Sequence, residues 1–237
     1  MISSHPHIEK PHDDTVIWRY IDLEKFISLL HTRSLFLCRL DDFKDQWEGS
    51  WPKPIVEALK TNWQAGPADH FLQVSSRLRC THYVSCWHAS PSESAALWDL
   101  YSGRSGVAIR STVRSLIASI SDTKDYYLGW VKYIDFDKDD VPELNMLVPP
   151  FYKRKSFEHE REIRVLHWDV PGGRSEDIPR DAAKNHRLSI DPSVMVEQLY
   201  ISPASPEWLV SAIGEVCRRF GLSAPVTKSE LYDPRVY

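Results

Sequence analysis

The spacing of apolar residues changes period several times along this chain, and each change predicts an element. Residues 15–20 (TVIWRY) are β-branched and aromatic, which predicts a strand. Leu23, Phe26, Ile27 and Leu30 then fall at the i, i+3, i+4, i+7 spacing of one helix face, with Asp22 placed to cap it. Residues 35–40 (LFLCRL) predict a strand and 41–50 a charged loop. Helices are predicted around 53–63 and 68–78, separated by Gly66-Pro67. A short strand follows at 83–87 (YVSCW). Ser90-Pro91-Ser92-Glu93 has the form of a helix start, and that helix carries Leu97, Trp98 and Tyr101 to about Gly103. A strand at 106–110 (GVAIR), a helix from Ser111 to about Ser119 and an alternating strand at 130–136 (WVKYIDF) complete this half.

Residues 137–150 read as loop, 151–161 as helix and 163–168 as strand, after which Pro171-Gly172-Gly173 opens a polar excursion. Two more strands fit 187–190 and 198–202. Ser205-Pro206 opens a last amphipathic helix through Trp208, Leu209, Ile213, Val216 and Phe220, closed by Gly221. There is no internal repeat and no long linker. Strands and helices mix without strict alternation, which predicts an α+β fold: a single domain over 15–237 with a mixed or antiparallel central sheet flanked by helices. Residues 1–14, with three His, two Pro and two Asp, read as a flexible polar tail with almost nothing to bury.

Composition narrows the function classes. A chain of 237 residues can bury a substantial core without disulfides or metals. The net charge of -4 gives no global basic field, so non-specific nucleic-acid binding is not expected. No signal peptide opens the sequence, and no apolar run approaches the roughly 20 residues that span a bilayer, so a cytoplasmic protein without a membrane partner is expected. Cys38, Cys80, Cys86 and Cys217 lack zinc-site spacing and read as reduced, buried thiols. Most of the nine Trp and ten Tyr are expected in the core, but that many amphipathic rings can also line a cleft for a planar ligand.

Signatures of the large enzyme classes are absent: no phosphate-binding glycine loop, dinucleotide fingerprint, nucleophile elbow or paired-histidine zinc helix. His159-Glu160-Arg161-Glu162 lacks the second histidine a zinc protease needs. Four clusters remain. They are Trp18-Arg19-Tyr20 with its helix; Phe43-Lys44-Asp45-Gln46-Trp47-Glu48-Gly49; Ser85-Cys86-Trp87 with Trp98-Asp99-Leu100-Tyr101 and Gly106-Val107-Ala108-Ile109; and Lys153-Arg154-Lys155 running into Phe157-Glu158-His159-Glu160-Arg161-Glu162-Ile163-Arg164. Their order and spacing, from about Val16 to Lys228, resemble the bacterial family known as domain of unknown function 2971. Here Gln46, Trp47 and Phe157 depart from that family's usual proline, phenylalanine and tryptophan. The resemblance implies a fold and a site and carries no activity with it.

The candidate site residues each have two readings. Glu160 and Glu162 stand two apart. If Glu162 begins a strand it shares a sheet face with Arg164, as a surface salt bridge or as a functional carboxylate held ionised. Arg19, inside an apolar strand, faces solvent or meets a buried anion. Trp98 and Tyr101, three apart on a helix, pack in a core or stack on a ligand ring. Lys153, Arg154 and Lys155 form a solvated basic face or hold a phosphate. His82 and His88 read as core or general base, with no metal spacing.

In outline the layout is similar to ADP-ribosyltransferase-like domains. That likeness implies an NAD-using enzyme in which Glu162 or Glu160 stabilises an oxocarbenium ion, Arg19 holds phosphate, and Trp98 or Tyr101 stacks on nicotinamide. Tyr20, Ser85, Trp87, Lys155 and Arg164 complete the expected ligand-binding set, all converging on one cleft. NAD would be the co-substrate, and a toxin or defence role would fit. The alternatives are a non-catalytic module that binds a nucleotide or a protein partner, and a metal-dependent nuclease on Glu160 and Glu162.

Overall fold

The structure is a computed structural model and describes residues 1–63, 65–103, 105–169 and 183–233. In chain order the elements are β1 (Ile2–Ser3), β2 (Val16–Ile21), α1 (Leu23–Thr32), β3 (Ser34–Arg39), α2 (Lys53–Asn62), α3 (Ala65–Leu78), β4 (His82–Ala89), α4 (Ala95–Tyr101), β5 (Val107–Thr112), α5 (Val113–Ser119), β6 (Tyr126–Trp130), β7 (Lys132–Ile134), β8 (Tyr152–Arg154), β9 (Glu162–Trp168), β10 (Asn185–Ser189), α6 (Pro192–Met195), β11 (Gln198–Ile201), α7 (Trp208–Arg219) and β12 (Val226–Lys228). The class is α+β, as the pattern predicts. Most strand pairs are antiparallel; β1 with β6, β7 with β8 and β11 with β12 are parallel. Among the described residues no helix is long and apolar enough to cross a membrane. The excursion at Pro171-Gly172-Gly173 lies outside the described residues.

The chain groups into two compact units, Met1–Pro11 with Phe36–Cys86 and Lys124–His186, and His12–Leu35 with Trp87–Thr123 and Arg187–Tyr237. In the first, β9 pairs antiparallel with β6, with Tyr127 opposite Leu166 and Trp130 opposite Ile163. The β4 segment of this unit lies on the other side of β9, and Cys38 and Arg39 of β3 pair with Val84 and Tyr83. Leu40, Trp51, Val84, Phe136, Val148, Phe151, Tyr152 and Leu166 fill its core. In the second, β2 runs antiparallel to β5 from Val16 opposite Thr112 to Ile21 opposite Val107, and β11 continues the sheet from β5. Asp22 caps α1 by accepting from the Lys25 amide, the role its position in the sequence predicts.

Three local expectations change. Residues 1–11 are packed: Tyr126 N donates to Met1 O at 2.9 Å, Trp130 N donates to Glu9 O at 3.0 Å, and Ile8 is only 8% exposed. Gly129 lets that segment lie against β6, since a Cβ there would come within 2.3 Å of Ile8 Cγ2. Backbone pairing and one isoleucine hold what composition marks as a tail. Residues 151–161 are not a helix. A 3-10 turn at Pro149–Phe151 leads into β8, and a second at Lys155–Glu160 ends at Arg161 in the left-handed region (φ 43). Pairing with β7 claims Tyr152–Arg154, and the residues after it form only the 3-10 turn. α4 begins later than its proline suggests, capped by Ser94, while Glu93 turns aside to accept from Trp98 Nε1.

Candidate functional site

The first unit buries five ionisable side chains in one contact network. Period-two alternation along β9 places Glu162 and Arg164 on the same face, and Arg164 Nε donates to Glu162 Oε2 at 2.7 Å. Lys153, central in β8, reaches Glu162 Oε1 at 2.6 Å and also donates to Glu160. Glu48 joins from the loop before α2, 3.1 Å from Lys153 Nζ and 2.8 Å from Arg164 Nη1. Arg164 Nη1 also donates to Pro150 O at 2.6 Å. Exposure is 0% for Arg164, 2% for Glu48, 4% for Glu162 and 7% for Glu160 and Lys153, so the surface salt bridge among the sequence readings is excluded.

Local backbone explains how these groups meet. Arg161 in the left-handed region reverses the chain between the 3-10 turn and β9, which lets Glu160 and Glu162 approach each other instead of alternating apart. Glu162 is fixed at both backbone groups: its amide donates to Tyr133 Oη at 2.8 Å, and its carbonyl accepts from Val131 N at 2.9 Å. Glu48 is delivered by a tight turn with Gly49 at φ 71, where a Cβ would come within 2.4 Å of Leu40 Cδ2. Asp45 anchors the same loop by accepting from Arg154 Nε and Nη2 at 3.1 and 2.9 Å. Phe157 covers Lys153 Nζ at 4.7 Å, and Phe43 lies 5.7 Å from the Arg164 guanidinium carbon.

Three carboxyls face two cations, and the imbalance falls on Glu160. Burial, then the hydrogen bond to Glu162 and its charge, push Glu160 up to about 7, against the pull of Lys153. Burial would also raise Glu162, but the Arg164 charge, the hydrogen bond with Glu160 and the Lys153 charge outweigh it and hold Glu162 well below the usual range. Burial opposes charge on Lys153 too, yet Glu162 and Glu48 keep its proton affinity raised. As pH falls below about 7 the pair therefore takes up a proton that rests on Glu160 and is donated to ionised Glu162. Burial and the Glu162 charge raise the Cys86 thiol well above its ordinary value. Arg164 Nη2 is buried and meets no hydrogen-bond acceptor among the described residues.

The predicted site residues divide between the units. Ser85, Lys155, Glu160, Glu162 and Arg164 belong to the first; Arg19, Tyr20, Trp87, Trp98 and Tyr101 to the second. Ser85 is fully buried on β4 beside Cys86. Lys155 is exposed, 3.4 Å from Asp139; the buried member of the basic run is Lys153. In the second unit Trp98 and Tyr20 meet edge to face at 5.1 Å, and Trp18 lies 5.1 Å from Tyr200. Their polar atoms are used internally: Trp98 Nε1 donates to Glu93 at 2.8 Å, Tyr20 Oη accepts from Ser94 N at 2.7 Å, and Trp18 Nε1 donates to Ser90 O at 2.9 Å. Tyr101 does not share the buried face of Trp98 and is 49% exposed. The Arg19 guanidinium sits over buried Trp87 at 5.8 Å.

Sequence reasoning misses Glu48, and it places Lys153 only in a basic run. The available signal for Glu48 was its position directly before a glycine in the second cluster.

The chain matches no family model, no curated protein and no solved structure. Among the described residues no group of three or more His, Cys, Asp or Glu is arranged to hold a metal ion.

Proposed function

We propose that the protein is an enzyme whose chemistry runs through the Glu160–Glu162 pair. Glu160 gives and takes a proton near neutrality, and Glu162 supplies a standing negative charge. One observation carries this reading: two carboxyls in contact, with Lys153 and Arg164 holding one ionised while burial raises the other to about 7. Environments that push two carboxyls apart in this way are how active sites assign acid and base roles. The ADP-ribosyl-transferring reaction, with NAD as co-substrate, is the first chemistry to try. Cleaving the nicotinamide–ribose bond develops positive charge that a fixed carboxylate stabilises. On this reading the setting is cytoplasmic, as four free thiols suit, and NAD consumption would serve a toxin or defence role.

The test is NAD turnover and NAD binding by the wild type and Glu160→Gln. Loss of about 100-fold or more in turnover by a variant that keeps its melting temperature is expected for a general acid–base residue. Equal turnover in both proteins, or none in the wild type, counts against the proposal. A second reading, a non-catalytic nucleotide- or protein-binding module, is favoured by the internal packing of Trp98 and Tyr20, which spends on the core the rings an NAD clamp would need. The nuclease reading is weaker, because Lys153 and Arg164 occupy the space between the carboxyls where a metal ion would sit.

A further inference from the structure

Within the first unit, α3 ends at Leu78 and a 3-10 turn over Arg79–Thr81 follows. Arg79 forms part of the wall of a cavity of about 160 Å³, together with Gly49, Ser50, Trp51, Val56, Leu72, Ser75 and Ser76. Its Nε and Nη2 are buried and meet no hydrogen-bond acceptor among the described residues. Those two nitrogens form the edge of a guanidinium that grips a carboxylate with two parallel bonds. Elsewhere in the same unit that edge is used so: Arg39 donates from Nε and Nη2 to the two oxygens of Asp41 at 2.7 and 3.1 Å, and Arg154 does the same with Asp45. Arg79 has the fork without the acid. Arg79 is half-buried, but two desolvated donors without an acceptor are costly, and a bound acid would remove that cost.

We propose that this cavity binds a small carboxylic acid with a compact apolar body, held through its carboxylate by Arg79. The remaining walls suit such a ligand. Trp51, Val56 and Leu72 offer apolar surface. Ser75 Oγ accepts from Trp51 Nε1 at 2.7 Å and keeps its own proton to donate. A cavity of about 150 Å³ takes a molecule of benzene's size, so a ligand of roughly six non-hydrogen atoms fits here. Neither nitrogen is open to the cavity with Arg79 as it stands, so binding requires a turn about its last side-chain torsions. Gly49 places the cavity one peptide from Glu48, and none of the five clustered ionisable side chains lines it. The proposal therefore stands whether or not Glu160 is catalytic.

The experiment uses butyrate and inorganic phosphate as probes and reads the Trp51 indole N–H resonance of the full chain by NMR. Butyrate is expected to shift that resonance saturably, with phosphate inert. Arg79→Lys keeps the charge and loses the fork, so it should bind butyrate about tenfold more weakly or worse. Should Arg79→Lys misfold, Val56→Phe fills the cavity with Arg79 in place and should abolish the butyrate shift. The proposal is overturned if no saturable shift occurs, if phosphate acts as well as butyrate, or if either folded variant binds butyrate like the wild type.

Discussion

At the scale of single residues, the network around Glu162 links pH to stability with opposite signs at two neighbouring positions. Glu160 has its folded pKa raised to about 7, so the folded state binds its proton more tightly than the unfolded chain does. Its contribution to stability is whole below the unfolded value near 4.5 and is lost as pH rises toward 7. Glu162 is depressed, so its contribution is present above its unfolded value and is lost as pH falls through the folded one. Urea denaturation at pH 5 and pH 8 should therefore show Glu160→Gln losing less stability between those pH values than the wild type, by on the order of 1–3 kcal/mol. An identical pH dependence would show that Glu160 titrates normally. Removing the shared cation is harsher. Lys153→Met leaves Glu48, Glu160 and Glu162 with Arg164 alone, and breaking a buried ion pair typically costs about 3–5 kcal/mol. A fall in urea midpoint well below that scale would mean the carboxyls find water once Lys153 is gone.

At the scale of elements, β9 shows what the sequence can and cannot supply. The pairing of Glu162 with Arg164 is legible because alternation is a local rule that survives tertiary context. The partner carboxylate Glu48 and the lysine that bridges the set come from other elements, and no periodicity links them to β9. The stretch at 151–161 fails for the opposite reason. Its residues tolerate a helix, and pairing with β7 overrides that local preference. The N-terminal segment is a third case, since backbone hydrogen bonds leave no mark on composition. Its packing predicts that Ile8→Ala lowers the melting temperature measurably, by the effect of about 2–5 kcal/mol usual for emptying a buried isoleucine site. Thermal denaturation unchanged by this substitution would return residues 1–11 to the status of a tail.

At the scale of the whole molecule, the α+β class follows from the mixed order of periodicities, whereas the grouping of the chain into two units could not be read from it. No composition shift or linker marks a boundary, because each unit is assembled from three separate stretches of chain. That interleaving bears on how the protein is made. During synthesis the first unit cannot close until Lys124–His186 has left the ribosome, and the second waits for Arg187–Tyr237. Ile8 waits for β6 and the β2 strand for β5, partners encoded near the middle of the chain. Nascent chains in that condition expose apolar strands to aggregation and to chaperones, and topologies dominated by distant pairings fold over milliseconds to seconds instead of microseconds.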